Sequence, residues 1–267
     1  MPPVYPALAG ITMKRFVSIM LIGMAALSAR ADDFSSCFVP GEVVEYKVYW
    51  LGIPIAWSRT TTDTIVENER ELIRIRMIVQ TYAAYKHIFE VDDVTEVIID
   101  PVTALPVRHD WVINEGSIHK SQLTTYYHDK KVAIFQDRIS KDIREVPIES
   151  DTQELFSFIY STRNADIEQL ASRKHTLLVT GKLHDLGLKI SDYDDINLAH
   201  YGKVSSIEIE PIADFDGIFL RQGKVFFWIS KETPRVVTCI KAKAAVGSIT
   251  AKIHEVSGPV EGFWSQE

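Results

Sequence analysis

The chain has 267 residues, of which 29 are basic and 36 acidic, so its formal net charge is −7. Hydrophobic residues make up 46% and charged residues 24%. This is a globular composition, and it excludes a disordered chain, a collagen-like repeat and a small disulfide-stapled domain. The acidic balance also argues against a nucleic-acid-binding protein, because such proteins carry a basic surface.

The first thirty residues have the pattern of an export signal. Lys14 and Arg15 follow Met13, an apolar run covers residues 16–27, and Ser28-Ala29-Arg30-Ala31 closes the segment. A charged region, an apolar core and a small-residue site in this order predict a signal peptide that is cleaved after Ala31. The apolar run is shorter than the roughly 20 residues that span a bilayer. The alternative interpretation is a buried N-terminal helix.

Residues 1–12 have no signal character, so we interpret Met13 as the initiator and residues 1–31 as an extension plus a signal peptide. Residues 32–267 are predicted to form a single β-rich domain, because no linker rich in Pro, Gly or Ser divides them. Cys37 lies six residues beyond Ala31 and is not part of a lipobox. We therefore expect a periplasmic or secreted protein with no lipid anchor and no transmembrane segment in its mature chain.

The two cysteines, Cys37 and Cys239, both lie in the exported part. An even number of cysteines in an oxidising compartment permits one disulfide between them. The alternative is two thiols, and the sequence leaves both states open.

Most of the mature chain has the alternation of apolar and polar residues that predicts half-buried β-strands. In residues 42–50, Val44, Tyr46, Val48 and Trp50 alternate with polar side chains, and residues 71–79 and 248–254 repeat the pattern. Further strands are predicted at 57–66, 88–99, 105–113, 117–128, 131–136, 177–183, 186–191, 205–210, 224–229 and 236–242. The connections are short and carry turn residues, which favours antiparallel hairpins.

One segment predicts a helix. Asp151 can cap it with Glu154 at the third helical position, and a broad apolar side follows in Leu155, Phe156, Phe158, Ile159 and Tyr160. A meander of so many strands cannot stay flat with open edges. We therefore predict a mainly β fold, a single large curled antiparallel sheet or open half barrel with this apolar α-helix packed against it.

Catalytic, metal-binding and cofactor motifs were not found. The eight histidines have no metal-ligand spacing, and the chain contains no H-E-x-x-H, C-x-x-C, P-loop or G-x-S-x-G pattern. We therefore predict a non-enzyme without metal or cofactor. Three acidic groups are weaker candidates for a site: Glu90, Asp92 and Asp93; Asp192, Asp194 and Asp195; and Asp214-Phe215-Asp216-Gly217, an incomplete calcium loop.

Aromatic residues give a more specific hypothesis. Several of them fall where alternation places side chains inside the curled sheet, which indicates an apolar cavity between sheet and helix. The predicted ligand-binding residues are Trp50, Trp57, Phe156, Ile159, Tyr160 and Trp228. The alternative is that these side chains are ordinary core.

Several motifs resemble, in order, those of an exported bacterial family of unknown function, DUF3108. The resemblance rests on Phe38-Val39-Pro40-Gly41-Glu42 with Tyr46 and Trp50, on Phe89-Glu90-Val91-Asp92-Asp93 before Ile99-Asp100, on Leu105-Pro106, on Glu115-Gly116, on residues 153–163, on residues 226–230 before Pro234-Arg235-Val236, and on Val246-Gly247-Ser248-Ile249. It implies an exported β-rich protein of a single domain and no established activity. Lys231-Glu232-Thr233 replaces the acidic turn that is more usual in the family.

Three functions remain open on this basis. The first is a non-catalytic periplasmic module that binds a hydrophobic ligand, such as a lipid, an acyl chain or an apolar segment of an envelope protein. The second is a structural or interaction protein of the envelope without a small ligand, whose sheet edge adds a partner's strand. The third is a hydrolase that uses two carboxylates among Glu90, Asp92 and Asp93.

Overall fold

The alternating segments form one antiparallel sheet of 14 strands in the computed structural model, which describes residues 34–213, 225–243, 247–259 and 261–265. The strands are β1 Val43–Trp50, β2 Ile53–Glu67, β3 Arg70–Thr81, β4 Asp92–Ile99, β5 Pro106–Glu115, β6 Ile118–Tyr127, β7 Val132–Asp137, β8 Ile143–Pro147, β9 His175–Val179, β10 Lys182–Leu198, β11 Gly202–Ala213, β12 Val225–Ser230, β13 Val237–Lys243 and β14 Ser248–Ser257. The predicted signal peptide, its cleavage site and the Met13 start lie outside the described residues.

The strands form a meander in which the first strand, β1, pairs with the last strand, β14. The sheet runs β8-β7-β6-β5-β4-β3-β2-β1-β14-β13-β12-β11-β10-β9, so every neighbour in space is a neighbour in sequence except β1 and β14. Strand β1 pairs antiparallel with both β2 and β14. The first and last strands of the chain thus meet in the middle of the sheet, and β8 and β9 form its two edges.

Two short helices fill the connection between these edges. Helix α1 covers Leu155–Ser161 and helix α2 covers Ile167–Ala171. The predicted cap was wrong by one turn: Glu154 is the N-cap of α1, and its carboxylate accepts a hydrogen bond from the backbone N–H of Ser157. The Ser157 hydroxyl accepts from the backbone N–H of Glu154 in return, so a serine takes the place expected for an acid.

The two edges of the sheet come together. Leu178 of β9 packs in one buried cluster with Tyr126, Phe135 and Val146 of β6, β7 and β8. Arg144 of β8 donates a hydrogen bond from Nη2 to the carbonyl oxygen of Thr180, at 3.3 Å. The predicted curled sheet with a helix against it is confirmed, and its edges cover one another through side-chain contacts.

Two parts of the sheet differ from the predicted strands. Strand β8 was not predicted, because its five residues are mostly exposed and do not alternate. Strand β10 runs for 17 residues, well beyond the predicted strand 186–191, and includes the acidic group Asp192, Asp194 and Asp195. These aspartates are exposed, so the strand carries them without burying a charge.

A buried ion pair ties the helical connection to the middle of the sheet. Arg163, just after α1, donates to both carboxylate oxygens of Glu42, which precedes β1, at 3.0 and 2.6 Å. The two side chains are 4% and 2% exposed. Arg163 also donates to the carbonyl oxygens of Cys37 and Arg235, so one guanidinium links three distant segments.

We expect Arg163→Met to lower the free energy of unfolding by about 3–5 kcal/mol, because it leaves the Glu42 carboxylate buried without its partner. Urea unfolding measures the loss. The matched control is Arg138→Met, which removes a bidentate pair with Asp110 that is more than one-third exposed and is expected to cost less than about 1 kcal/mol. Equal losses in the two variants would contradict the importance of the buried pair.

Candidate functional site

An apolar cavity lies between the two helices and strands β9 to β13. Its volume is about 80 Å³. The helical side contributes Phe158, Ile159 and Ile167, and the sheet contributes side chains that include Leu188, Ile209, Phe227 and Ile229. The polar side chain on the lining is Thr162, whose hydroxyl already donates to the carbonyl oxygen of Ile159 at 2.7 Å. A molecule bound in this cavity would therefore make apolar contacts with its walls.

A second, smaller cavity adjoins the first and has a different character. It is about 30 Å³ in volume and lies between strands β5 to β7 and strand β9. Leu155 and Leu177 line both cavities and separate them. His109, Trp111, Gln122 and Thr124 also line the smaller one. Leu155 and Leu177 therefore separate the polar and aromatic groups of the smaller cavity from the apolar cavity.

Buried polar atoms without hydrogen-bond partners lie in the lining of the smaller cavity and beside His109. His109 Nε2 and Gln122 Oε1 are buried and have no hydrogen-bond partner among the described residues. The same holds for the Tyr126 hydroxyl and for Glu154 Oε2, which lies 3.9 Å from His109 Nδ1. Buried polar atoms are normally hydrogen-bonded, so a group of four without partners indicates a place that can hold a polar molecule or part of one.

Burial sets the charges of this group. It raises the pKa of Glu154 to about 7 and lowers the pKa of His109 to about 4. The imidazole is therefore neutral at neutral pH, and the carboxyl group is close to half protonated. A neutral imidazole and a protonated carboxyl each donate and accept hydrogen bonds.

The structure separates the predicted ligand-binding residues. Ile159 lines the apolar cavity. Phe156 and Tyr160, on the same helix, pack in a cluster with Ile73, Ile75 and Val97, against which Ile159 also packs. The Tyr160 hydroxyl lies 3.2 Å from the hydroxyl of Thr62. These two side chains therefore belong to the core on the other side of α1.

The three predicted tryptophans do not line the cavity. Trp228 is buried in a cluster with Val44, Leu198 and Cys239, on the opposite face of β12 from Phe227 and Ile229. Trp50 and Trp57 are half-buried on β1 and β2. The residues that sequence reasoning missed, such as Leu188, Ile209 and Phe227, lie in predicted strands, where the alternation signal already marked two faces without showing which one is inside.

Of the two cysteine states that the sequence leaves open, the structure has the one without a bond between Cys37 and Cys239. Cys37 and Cys239 are both buried thiols, and they belong to different clusters. The Cys37 thiol points to the carbonyl oxygen of Ser161 at the end of α1, at 3.9 Å. Cys239 packs beside Val44 and Trp228. Each sulfur is held by its own local packing.

The acidic candidates have structural partners. Glu90 pairs with Lys86 at 3.0 Å, and Asp92 accepts from the Gln80 amide at 2.8 Å. Asp93 is buried and accepts from the backbone N–H of Asn114 at 2.7 Å, and burial raises its pKa to about 7.

The acidic group Asp192, Asp194 and Asp195 does not form a metal site. Among the described residues, no group of three His, Cys, Asp or Glu side chains could hold a metal ion. The Asp214–Gly217 motif lies outside the described residues. Within the described part of the chain there is also no helix with the length and apolar content to cross a membrane.

The raised pKa of Glu154 predicts a pH-dependent stability. The folded state keeps a proton that the unfolded chain releases near pH 4.5, so this group lowers the free energy of unfolding as the pH rises from about 4.5 to 7. Glu154→Gln removes that effect, and we expect the variant to gain stability over the wild type across this range, by up to about 3 kcal/mol at pH 8.

Urea unfolding at several pH values measures the difference between the two proteins. His109 contributes in the opposite direction, with stability rising from about pH 4 to 6.5, but it is present in both and cancels. The control is Glu149→Gln, an exposed carboxylate, which should leave the curve unchanged. Parallel curves for wild type and Glu154→Gln would show that the Glu154 pKa is ordinary.

Comparisons with known proteins agree with this fold and do not assign a function. No curated protein matches the sequence. Among solved structures, the chain is similar to a beta-barrel-like protein of the domain of unknown function DUF1849 from Brucella abortus, with a TM-score of 0.52 and 8% sequence identity over 83% of this chain and 98% of that one. At this identity the similarity concerns the fold alone. The family model for the protein of unknown function DUF3108 matches residues 45–254, so the chain belongs to the DUF3108 family, as its motifs predicted.

Proposed function

We propose that this protein is an exported, non-catalytic module that binds a hydrophobic ligand, such as a lipid or an acyl chain, between its helices and its sheet. The observation that carries the proposal is the lining of the larger cavity, where the hydroxyl of Thr162 is already bonded and every other side chain is apolar. Ligand sites are concave and mostly apolar with few polar groups, as here.

The helical segment is the wall that yields when a ligand enters. A dry engineered cavity of about 150 Å³ takes up benzene, so the cavity of about 80 Å³ holds an acyl chain only after it widens. The helices have seven and five residues. Helices this short depend on packing for their stability. A ligand that replaces this packing can displace them at low cost.

The smaller cavity gives such a ligand a place for a polar end. It lies across Leu155 and Leu177 from the apolar cavity, and His109 Nε2 and Gln122 Oε1 face it without partners. A hydroxyl or amide group at the head of an apolar chain would satisfy these atoms. The ligand class that fits both cavities is therefore a single-chain amphiphile with an uncharged, hydrogen-bonding head.

We expect Leu188→Trp to abolish ligand retention, because the larger side chain fills the apolar cavity. The measurement is native mass spectrometry of the protein after gentle purification from a bacterial periplasm, followed by organic extraction. The control is Leu183→Trp, the same substitution at an exposed position of the same strand, which should retain the ligand.

Both variants should show wild-type circular dichroism and thermal unfolding. A wild-type protein that carries no apolar molecule, and that also fails to bind the apolar fluorophore N-phenyl-1-naphthylamine, would contradict the proposal. Such a result would favour an envelope interaction protein without a small ligand.

A further inference from the structure

The imidazole of His109 stands between a buried carboxyl group and the smaller cavity. Its Nδ1 lies 3.9 Å from Glu154 Oε2, and its Nε2 is buried without a hydrogen-bond partner among the described residues. His109 also lines the cavity. Glu154 Oε2 is likewise buried and unpartnered, because the capping hydrogen bond from Ser157 uses Oε1. The two nitrogens of one ring therefore link the state of Glu154 to a contact that the cavity can offer.

The charge of Glu154 decides which nitrogen of His109 carries the proton. A neutral imidazole has one N–H donor and one acceptor nitrogen, and the partner of one nitrogen sets the role of the other. His109 is neutral above pH 6, since burial lowers its pKa to about 4. Beside an ionised Glu154 the proton is favoured at Nδ1, which leaves Nε2 as an acceptor. Beside a protonated Glu154, Nδ1 accepts and the N–H is at Nε2.

Gln122 supplies a second, fixed contact in the same cavity. In the register of β5 and β6, His109 lies opposite Thr124 and Trp111 lies opposite Gln122, so His109 and Gln122 are diagonal neighbours on one face. The Gln122 amide nitrogen donates to Asp137 at 3.4 Å, and its Oε1 is buried and unpartnered. The cavity thus presents an acceptor at Gln122 in both states, and either a donor or an acceptor at His109.

A secondary amide matches the state in which Glu154 is protonated. Its carbonyl oxygen accepts from His109 Nε2–H, and its N–H donates to Gln122 Oε1. When Glu154 is ionised, the carbonyl oxygen faces an acceptor nitrogen, and a buried acceptor without a donor is costly. An amide stays uncharged between pH 6 and pH 8, whereas a carboxylic acid head would be ionised and costly to bury beside Glu154.

Building on the ligand binding proposed above, we propose that the ligand is an acyl chain with an amide-linked head, which Glu154 admits through His109 when Glu154 is protonated. The acyl chain occupies the apolar cavity, and the head lies across Leu155 and Leu177 in the smaller one. Burial raises the pKa of Glu154 to about 7, so the switch operates near neutral pH. Glu154 is a positioning residue, because it acts on the head through the His109 ring.

Other titratable groups near this site stay in place when Glu154 is replaced. The Tyr126 hydroxyl on β6 is buried and unpartnered, and burial raises its pKa, so it stays uncharged. His128 stacks on Tyr126 and donates from Nε2 to a backbone carbonyl oxygen at 2.9 Å. On β9, His175 likewise donates to a backbone carbonyl oxygen at 2.9 Å. A pH dependence caused by these groups would therefore survive in a Glu154 variant.

The test is isothermal titration calorimetry at pH 6 and pH 8 with N-methyldecanamide, a single acyl chain that ends in a secondary amide. We expect the wild type to bind it about fivefold more weakly at pH 8, because the ionised Glu154 then disfavours the bound head. N-phenyl-1-naphthylamine has no carbonyl oxygen and should bind equally at both pH values. N,N-dimethyldecanamide lacks the N–H and should bind about tenfold more weakly than N-methyldecanamide.

The variant Glu154→Gln tests the switch itself. The glutamine oxygen can keep the cap on Ser157, so its NH2 group takes the place of Oε2 and donates to His109 Nδ1 at every pH. The variant should therefore bind N-methyldecanamide at pH 8 as tightly as the wild type does at pH 6. Glu149→Gln, at an exposed position, should keep the wild-type pH dependence. Circular dichroism checks that both variants are folded.

The possible failures are distinguishable. An affinity for N-methyldecanamide that does not change with pH, or that changes equally in the wild type and Glu154→Gln, would overturn the switch and leave apolar ligand binding intact. Equal binding of the two amides would overturn the amide-linked head. A wild type that binds none of the three probes would contradict both this proposal and the proposed function.

Discussion

The ion pair between Glu42 and Arg163 is the constraint on which the internal arrangement depends. The edge strands β8 and β9 are not paired with each other, and the helices that connect them are too short to be stable alone. Arg163 fixes the end of α1 to Glu42 in the middle of the sheet and to the carbonyl oxygen of Arg235 before β13. Replacing such a pair by apolar residues is often neutral for stability, but breaking it is costly, so the pair acts chiefly by specifying position.

That position determines where the cavities lie. Once the end of α1 is held, its first residue, Leu155, meets Leu177 of β9, and these two side chains divide the space under the helices. On one side the strands β9 to β13 present aliphatic residues. On the other side, His109 and Gln122 present buried polar atoms without hydrogen-bond partners. Nearby, Glu154 caps the helix with a buried carboxyl group whose pKa is raised to about 7. The start of α1 therefore supplies both the helix cap, Glu154, and a wall of each cavity, Leu155.

The sequence was sufficient for most of the strands but not for β8 or for the contact between the two edges of the sheet. Period-two alternation predicted the bounds of β1, β3 and β14 closely, although most side chains of β1 are half-buried on both faces. Alternation divides the side chains of a strand between two faces but does not show which face lines the cavity. Trp228 was therefore predicted to line the cavity, whereas Phe227, on the opposite face of β12, lines it. The contact between β8 and β9 joins residues far apart in the chain, and strand β8 is too short and too exposed to have a local signal.

One property of the meander brings turns that are distant in the chain to the same end of the sheet. Antiparallel strands send alternate turns to the same end, so residues as distant as Leu51 and Ile249 become neighbours without any direct sequence relation. Folding stability gains little from exposed apolar side chains, and solubility is reduced by them. The exposed apolar side chains in these turns, such as Leu51, are therefore not explained by the packing of the sheet.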